Sequence, residues 1–248
     1  MNLSDYSIGF LGCGKISSAL CHGFASIEEG KRPKKLLVSR RSEDKSSALA
    51  RSYPGLVVVC DNNEDIVQEC DVVFIGLLPQ VARTELLKLQ FGDKKLVISM
   101  MAAVGYDETK QLVSIDEKRL VRTVPLPSAA RRSGPILIYP PNADAEQLLC
   151  AIGTPVVCIT EAQMKPMIAV TGHISSFFEL LRTSEEFLTK QGINKKSIII
   201  ILLKYVGYIC QLWFSGFVLQ ILSPHLLGNS SPHSILAWLW ELSSLMKA

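Results

Sequence analysis

Residues 8–19 run Ile8-Gly9-Phe10-Leu11-Gly12-Cys13-Gly14-Lys15-Ile16-Ser17-Ser18-Ala19. An apolar strand leads through a Gly-x-Gly turn directly into a helical segment. Gly12 permits the tight turn, and Gly14 lets the backbone approach a ligand whose negative charge lies on the N–H groups that begin the helix. Ser17 stands where a third glycine is usual and is small enough for close helix packing. The pattern is typical of a site for the pyrophosphate of a dinucleotide.

Short aliphatic runs alternate with helical patterns through the first 160 residues, which predicts βαβ units and a mostly parallel sheet. The predicted strands are residues 6–11, 35–39, 56–59, 72–76, 96–100 and 120–124, followed by 136–139 and 155–159. The glycine turn therefore follows the first strand of a sheet. This placement favours a dinucleotide site over the alternative, a turn without a ligand.

The sequence pattern changes after Ile159, where helical spacing replaces the strands. Thr160 with Gln163 resembles a capping box for the first helix after this change. Within the first 160 residues, Asn62 is predicted to cap the helix that follows the third strand. We therefore predict an α/β fold: a Rossmann-type, mostly parallel sheet in residues 1–160, followed by an all-helical domain in residues 161–248.

The second predicted strand ends in Val38-Ser39-Arg40-Arg41. Folds of this type that bind NAD usually place an acidic residue here to hold the ribose 2′-hydroxyl. Two guanidinium groups and a hydroxyl suit a 2′-phosphate instead, because arginine presents a planar set of donors to phosphate oxygens. The strand end thus predicts NADPH rather than NADH, with a solvated basic loop as the alternative.

The composition places the chain among globular proteins with small-molecule or protein partners. Its 248 residues are 48% hydrophobic and 20% charged, and the net charge of +3 is too small to indicate a nucleic-acid-binding protein. The seven cysteines show no Cys-x-x-Cys pair and no metal-like spacing to histidine, so we expect reduced thiols and no metal site. The first residues lack the features of a signal peptide, which predicts a cytoplasmic location.

Several segments taken together resemble the pyrroline-5-carboxylate reductase family. Residues 9–16 are similar to its opening glycine segment, and Asp71-Val72-Val73-Phe74-Ile75-Gly76-Leu77-Leu78-Pro79 resembles its Asp-Val-x-Phe-x-Ala-Val-Lys-Pro stretch. Asn63, residues 96–104, Arg122-Thr123-Val124-Pro125 and residues 169–172 also match family motifs in order. The resemblance extends to about residue 195.

This resemblance implies an NADP-binding Rossmann domain and a helical domain that forms a homodimer or a higher homo-oligomer. It also implies hydride transfer to the C=N bond of 1-pyrroline-5-carboxylate, a small cyclic imine, to give proline. Arg41 is a cofactor candidate from the strand end alone. By position, the resemblance implies cofactor contacts at Gly12, Gly14, Lys15, Ile16, Ser39, Arg40, Asn63, Leu77, Pro79, Met101 and Ala102.

The departures from the family lie on the substrate side. Leu78 stands in place of a lysine, and Leu126-Pro127-Ser128 replaces Asn-Thr-Pro. The Pro-Gly-Gly loop near the carboxyl terminus has no counterpart, since Leu226 and Leu227 follow Ser223-Pro224-His225. Two interpretations remain open: a reductase of this family, or an NADP-binding paralogue without the activity that has a binding or regulatory role.

Three polar residues near the start of the helical domain are candidates for the chemistry. His173 could donate a proton to an imine nitrogen, and Thr171 and Ser175 could bind a carboxylate together with the free N–H groups of a helix start. The alternative is that they only cap or begin a helix.

The stretch from Ile198 to Leu222 is apolar and contains a single charged residue, Lys204. It is long enough to span a membrane, which allows a membrane-associated oxidoreductase. However, Lys204, Tyr208, Gln211 and Ser215 fall on one helical stripe, which favours a helix buried in a dimer. Residues 223–248 contain no motif.

Overall fold

A computed structural model describes residues 2–40, 43–92 and 95–226, without the side chains of residue 209 and residues 212–226. The chain forms two compact units, Met1–Thr171 and Gly172–Ala248. The helix that follows the predicted boundary at residue 160, Glu161–Thr171, is part of the first unit. Residues 227–248, most of the motif-free tail, lie outside the described residues.

The first unit contains an eight-stranded sheet with the order β3-β2-β1-β4-β5-β6-β7-β8. All neighbouring strands are parallel except β6 and β7. The predicted mostly parallel sheet is confirmed, and each predicted strand is present within two residues of its expected ends. The strands are β1 Ser7–Leu11, β2 Lys35–Ser39, β3 Val57–Cys60, β4 Val72–Ile75, β5 Leu96–Ser99, β6 Leu120–Pro125, β7 Pro135–Tyr139 and β8 Thr154–Val157.

Helices cover both faces of the sheet because strand residues alternate between two apolar cores. Ile8, Phe10 and Phe74 face one core, where the Phe10 and Phe74 rings stack at 5.2 Å, while Leu11 and Ile75 face the other. The first core includes residues of α1 Lys15–Ala25, α2 Glu43–Ser52 and α6 Ala143–Cys150. The second includes residues of α3 Asn63–Glu69, α4 Pro79–Glu85 and α5 Tyr106–Val113.

This layering creates a crevice between β1 and β4. The chain leaves β1 over the first face to reach β2 and β3, then returns over the second face to β4. The connections that leave β1 and β4 therefore diverge at the carboxyl edge of the sheet, and α/β proteins bind ligands at such a switch point. We refer to this place as the β1/β4 crevice.

The last helix of the first unit is α7 Glu161–Thr171, and the second unit contains α8 His173–Lys190 and α9 Lys195–Leu226. α8 has no buried residue, and large apolar side chains on both helices are exposed. In the part of the chain that the structure describes, no helix is both long and apolar enough to cross a membrane.

Candidate functional site

The glycine turn after β1 packs directly against the turn after β4. Gly12 has φ +91°, and a Cβ there would lie 2.6 Å from the Gly76 carbonyl oxygen. A side chain is excluded by both the backbone conformation and the space. Gly14, the N-cap of α1, has nothing within 4 Å of the position of a Cβ. The space beside the N-cap of α1 is therefore open, as a pyrophosphate site requires.

Ser39, the last residue of β2, supports this turn. Its Oγ accepts a hydrogen bond from the Gly12 N–H at 2.8 Å, and the side chain is buried. Since Gly12 follows β1 and Ser39 ends the neighbouring strand β2, the bond fixes the glycine turn relative to the end of β2. The structure therefore places Ser39 beneath the turn.

Cys13, between the two glycines, is a buried thiol. Burial raises its pKa, an effect that outweighs the opposing influence of a hydrogen bond with Ser18 and of the Lys45 charge. The raised pKa keeps the thiol uncharged near neutral pH. The glycine turn therefore carries no thiolate that would repel a phosphate.

Arg40 follows β2 and lies half-exposed beside two carboxylates. Its Nε donates to Asp61, and its Nη1 lies 3.6 Å from Glu43. Asp61 follows β3, so the ion pair joins the ends of two parallel strands. Arg41, the second arginine of the prediction, lies outside the described residues.

The other predicted cofactor residues follow the parallel strands at the same edge of the sheet. Lys15 is exposed and Ile16 is half-buried in the first turn of α1, while Asn63 begins α3 after Asn62, whose side chain caps that helix. Leu77 is buried before α4, which begins with Pro79. Met101 is buried and Ala102 is exposed after β5. The structure thus brings these residues to one edge, and their contact with a cofactor stays a prediction.

Leu78 is the most conspicuous departure at this edge. It lies between Leu77 and Pro79, and its side chain is 69% exposed. An apolar group therefore faces solvent at the point where the family has a lysine.

Sequence reasoning assigned no role to Arg122 of β6 and did not find Glu161 of α7. The Arg122 guanidinium is buried, and its Nη1 donates to Glu161 Oε1 at 2.6 Å. For Arg122 the sequence signals were a charged residue inside a mostly apolar strand and a match to a family motif. The partner lies far along the chain, so no local pattern indicates the pair.

Tyr106, the first residue of α5, adjoins this ion pair. Its backbone N–H donates to Glu161 Oε1 at 2.9 Å, and its hydroxyl donates to the Glu117 carbonyl oxygen at 3.1 Å. Burial, reinforced by the Glu117 charge, raises the pKa of Tyr106 to about 12. The hydroxyl therefore stays protonated near neutral pH.

The three candidate chemical residues lie at the end of the first unit and the start of the second. Thr171 ends α7, and its Oγ1 donates to the Ile168 carbonyl oxygen at 2.6 Å. His173 begins α8, and the Ser175 N–H donates to the Gly172 carbonyl oxygen at 3.3 Å. A single residue, Gly172, separates α7 from α8, and its dihedral angles are helical. The roles of Thr171, His173 and Ser175 stay predictions.

No group of three or more His, Cys, Asp or Glu side chains that could hold a metal occurs among the described residues. The seven cysteines are free thiols.

Comparison with known proteins shows that this chain is similar to oxidoreductases. A family described as NADP oxidoreductase, coenzyme F420-dependent, matches residues 7–103. Pyrroline-5-carboxylate reductase of Haemophilus influenzae is 26% identical over 201 residues, which cover 77% of this chain and 72% of that protein. The reductase of Methanosarcina acetivorans is 29% identical over 206 residues, which cover 79% of this chain and 74% of that protein.

A solved structure has the same fold. Plasmodium falciparum pyrroline carboxylate reductase, with NADP bound, matches with a TM-score of 0.70 and 18% identity, covering 99% of this chain and 93% of that one. The fold class is confirmed, as is the resemblance to the pyrroline-5-carboxylate reductase family.

Removing the Ser39 hydroxyl tests how the turn is held. In Ser39→Ala the buried Gly12 N–H loses its acceptor, which lowers the free energy of unfolding by about 1–3 kcal/mol. Urea denaturation measures the change. Ser52→Ala is the control, because its exposed hydroxyl bonds only to Ala48 within α2, and we expect a change within about 0.5 kcal/mol. Equal midpoints for Ser39→Ala and the unsubstituted protein would contradict the role given to Ser39.

Proposed function

We propose that this chain is an NADPH-dependent reductase that converts 1-pyrroline-5-carboxylate to proline. The observation that carries the proposal is the β1/β4 crevice, where the open N-terminus of α1 lies beside a strand end that bears Arg40 in place of an acidic residue. The ordered similarity to pyrroline-5-carboxylate reductases supports it, as does the NADP bound to the solved relative.

The chain's own residues fit the proposed cofactor. The pyrophosphate is placed at the N–H groups after Gly14, where a side chain at Gly14 itself would meet no atom. Arg40 receives the 2′-phosphate, because Asp61 engages its Nε while its Nη1 has Glu43 only at 3.6 Å, longer than a hydrogen bond. The terminal guanidinium nitrogens are thus available to phosphate oxygens.

The reaction requires little general acid–base catalysis by side chains. When bound, NADPH supplies the hydride that reduces the C=N bond. In this proposal Met101, Ala102 and Leu77 form the walls that orient the reactive end of the cofactor. Thr171 and Ser175 anchor the substrate carboxylate, and His173 supplies a proton to the imine nitrogen.

A second candidate function is NADP binding without reduction of this imine. The missing Pro-Gly-Gly loop favours it, since two leucines stand where glycines would expose backbone donors. α9 is helical as far as Leu226, the position of the first of these leucines. Such a protein would bind the cofactor and act through a binding or regulatory role.

An oxidation assay separates the two candidates. We expect the purified protein to oxidise NADPH in the presence of 1-pyrroline-5-carboxylate, followed as the loss of absorbance at about 340 nm, and to form proline. Omission of the imine is the control for background oxidation. A protein that binds NADPH but produces no proline would favour the second candidate.

The choice of NADPH over NADH depends on the end of β2. The double substitution Arg40→Ala, Arg41→Ala should weaken NADPH binding by about tenfold or more, since hydrogen bonds to charged groups contribute about 1.5–3 kcal/mol each. NADH binding should stay the same, because NADH has no 2′-phosphate. Fluorescence titration with each cofactor measures both constants.

Arg119→Ala provides the matched control for this double substitution. Arg119 is half-exposed, lies 3.9 Å from Asp144 and precedes β6, at the opposite edge of the sheet. An NADPH preference that survives in the double variant would mean that the strand end does not recognise the 2′-phosphate.

The proposal includes a homodimer formed through the second unit and the predicted cytoplasmic location. Phe178, Leu180 and Phe187 of α8 are each about 60% exposed, and further aliphatic side chains are exposed along α9. Exposed apolar side chains at this density indicate a protein–protein interface. Arg182 joins Glu179 and Glu186 on the polar stripe of the same helix.

Phe178→Glu should therefore raise the dimer dissociation constant by about tenfold or more, because a charge replaces an aromatic group at the interface. Light scattering coupled to size-exclusion chromatography measures the molar mass over a dilution series. Thr189→Glu, at an exposed position one turn beyond Glu185 and Glu186, is the control and should remain a dimer. A monomeric unsubstituted protein would refute the interface.

A further inference from the structure

Arg122 is the one charged residue that is buried among the described residues, at 7% exposure. It lies in β6 opposite Ser99 of β5 and Tyr139 of β7. Its Nη1 donates to Glu161 at 2.6 Å and its Nη2 donates to the Ala102 carbonyl oxygen at 2.9 Å. Its Nε is buried without a hydrogen-bond partner in the described part of the chain.

This arrangement is not what core stability alone would select. A buried guanidinium loses its hydration, and an unsatisfied Nε adds to that cost. The neighbouring strand residues Val121 and Leu120 show that aliphatic side chains pack well here. The specific bonds that Arg122 makes are therefore the feature that needs an explanation.

Those bonds converge on the β5–α5 loop, residues 100–105. Arg122 holds the loop at the Ala102 carbonyl group. Glu161 holds its far end, because its Oε1 accepts the N–H of Tyr106, the first residue of α5. Gly105, the N-cap of α5, has no side chain to cap the helix, and Glu161 serves this purpose from α7.

The β5–α5 loop is part of the proposed cofactor site. β5 lies beside β4, so the β5–α5 loop lies at the same edge as the β1/β4 crevice. Met101 and Ala102, both predicted cofactor contacts, belong to it. A shift of Ala102 would change the wall against which the reactive end of the cofactor is placed.

We propose that Arg122 and Glu161 are positioning residues that hold the β5–α5 loop in the conformation that binds the nicotinamide half of NADPH. The inference rests on the proposed function. Neither residue is assigned a contact with the cofactor: Arg122 acts through the Ala102 carbonyl group, and Glu161 acts through Arg122 and the start of α5.

Two ligands distinguish this role from a general effect on folding. NADPH includes the nicotinamide half, whereas 2′,5′-ADP contains only the adenosine phosphate part that we place at the ends of β1 and β2. In Arg122→Gln and Glu161→Ala, NADPH affinity should fall by about tenfold, in the range expected when a hydrogen bond to a charged group is lost. Affinity for 2′,5′-ADP should match that of the unsubstituted protein.

Isothermal titration measures both ligands, and thermal unfolding shows whether each variant is folded. Glu161→Ala removes the oxygen that accepts both bonds, so it tests the proposal if Arg122→Gln does not fold. Arg122→Lys restores the positive charge and should recover part of the NADPH affinity. Arg119→Gln, at a half-exposed arginine before β6, is the control and should bind both ligands normally.

The outcomes distinguish a failure of the positioning role from a failure of the proposed function. A folded Glu161→Ala variant with unchanged NADPH affinity would overturn the positioning role, as would equal losses for NADPH and 2′,5′-ADP. Failure of the unsubstituted protein to bind NADPH would instead refute the proposed function.

Discussion

The site depends on the close approach of two backbone turns at the carboxyl edge of the sheet. A Cβ at Gly12 would lie 2.6 Å from the Gly76 carbonyl oxygen, and a Cβ at Gly76 would lie 2.6 Å from Ser17 Oγ. The turn after β1 can therefore approach the turn after β4 this closely only with glycine at position 12. α1 begins three residues after Gly12, and the space beside its N-cap, Gly14, is open. The hydrogen bond from the Gly12 N–H to Ser39 Oγ connects the end of β2 to the first of these turns.

The charged and ionisable side chains near the two turns suit a phosphate ligand. Burial raises the pKa of Cys13, so the turn itself remains neutral. Arg40 lies at the end of β2 and is oriented by Asp61 at the end of β3. On the other side of the crevice, the buried Arg122 is compensated by Glu161 and directs its remaining bond to a backbone carbonyl group. One arginine is thus half-exposed beside carboxylates at the edge of the sheet, and the other is buried and bonded to a loop.

The sequence predicted the parts of this fold that local patterns determine. Apolar runs bounded by glycine and polar residues located all eight strands, and Asn62 was correctly interpreted as a helix cap, because its side chain accepts the Glu64 N–H. Local patterns did not reveal bonds between distant residues. Ser39 was predicted as a cofactor contact, while its bond to Gly12 depends on strand pairing. The Arg122–Glu161 pair connects a strand to a helix that follows two further strands. The helix start expected near Gly172 is present, since α7 ends at Thr171 and α8 begins at His173.

The most direct test of the account is a crystal structure of the protein with NADPH. The account predicts the pyrophosphate at the N–H groups that follow Gly14, the 2′-phosphate on Arg40, and the nicotinamide beside the β5–α5 loop. NADPH bound with its pyrophosphate away from the glycine turn, or with its 2′-phosphate away from the end of β2, would contradict it.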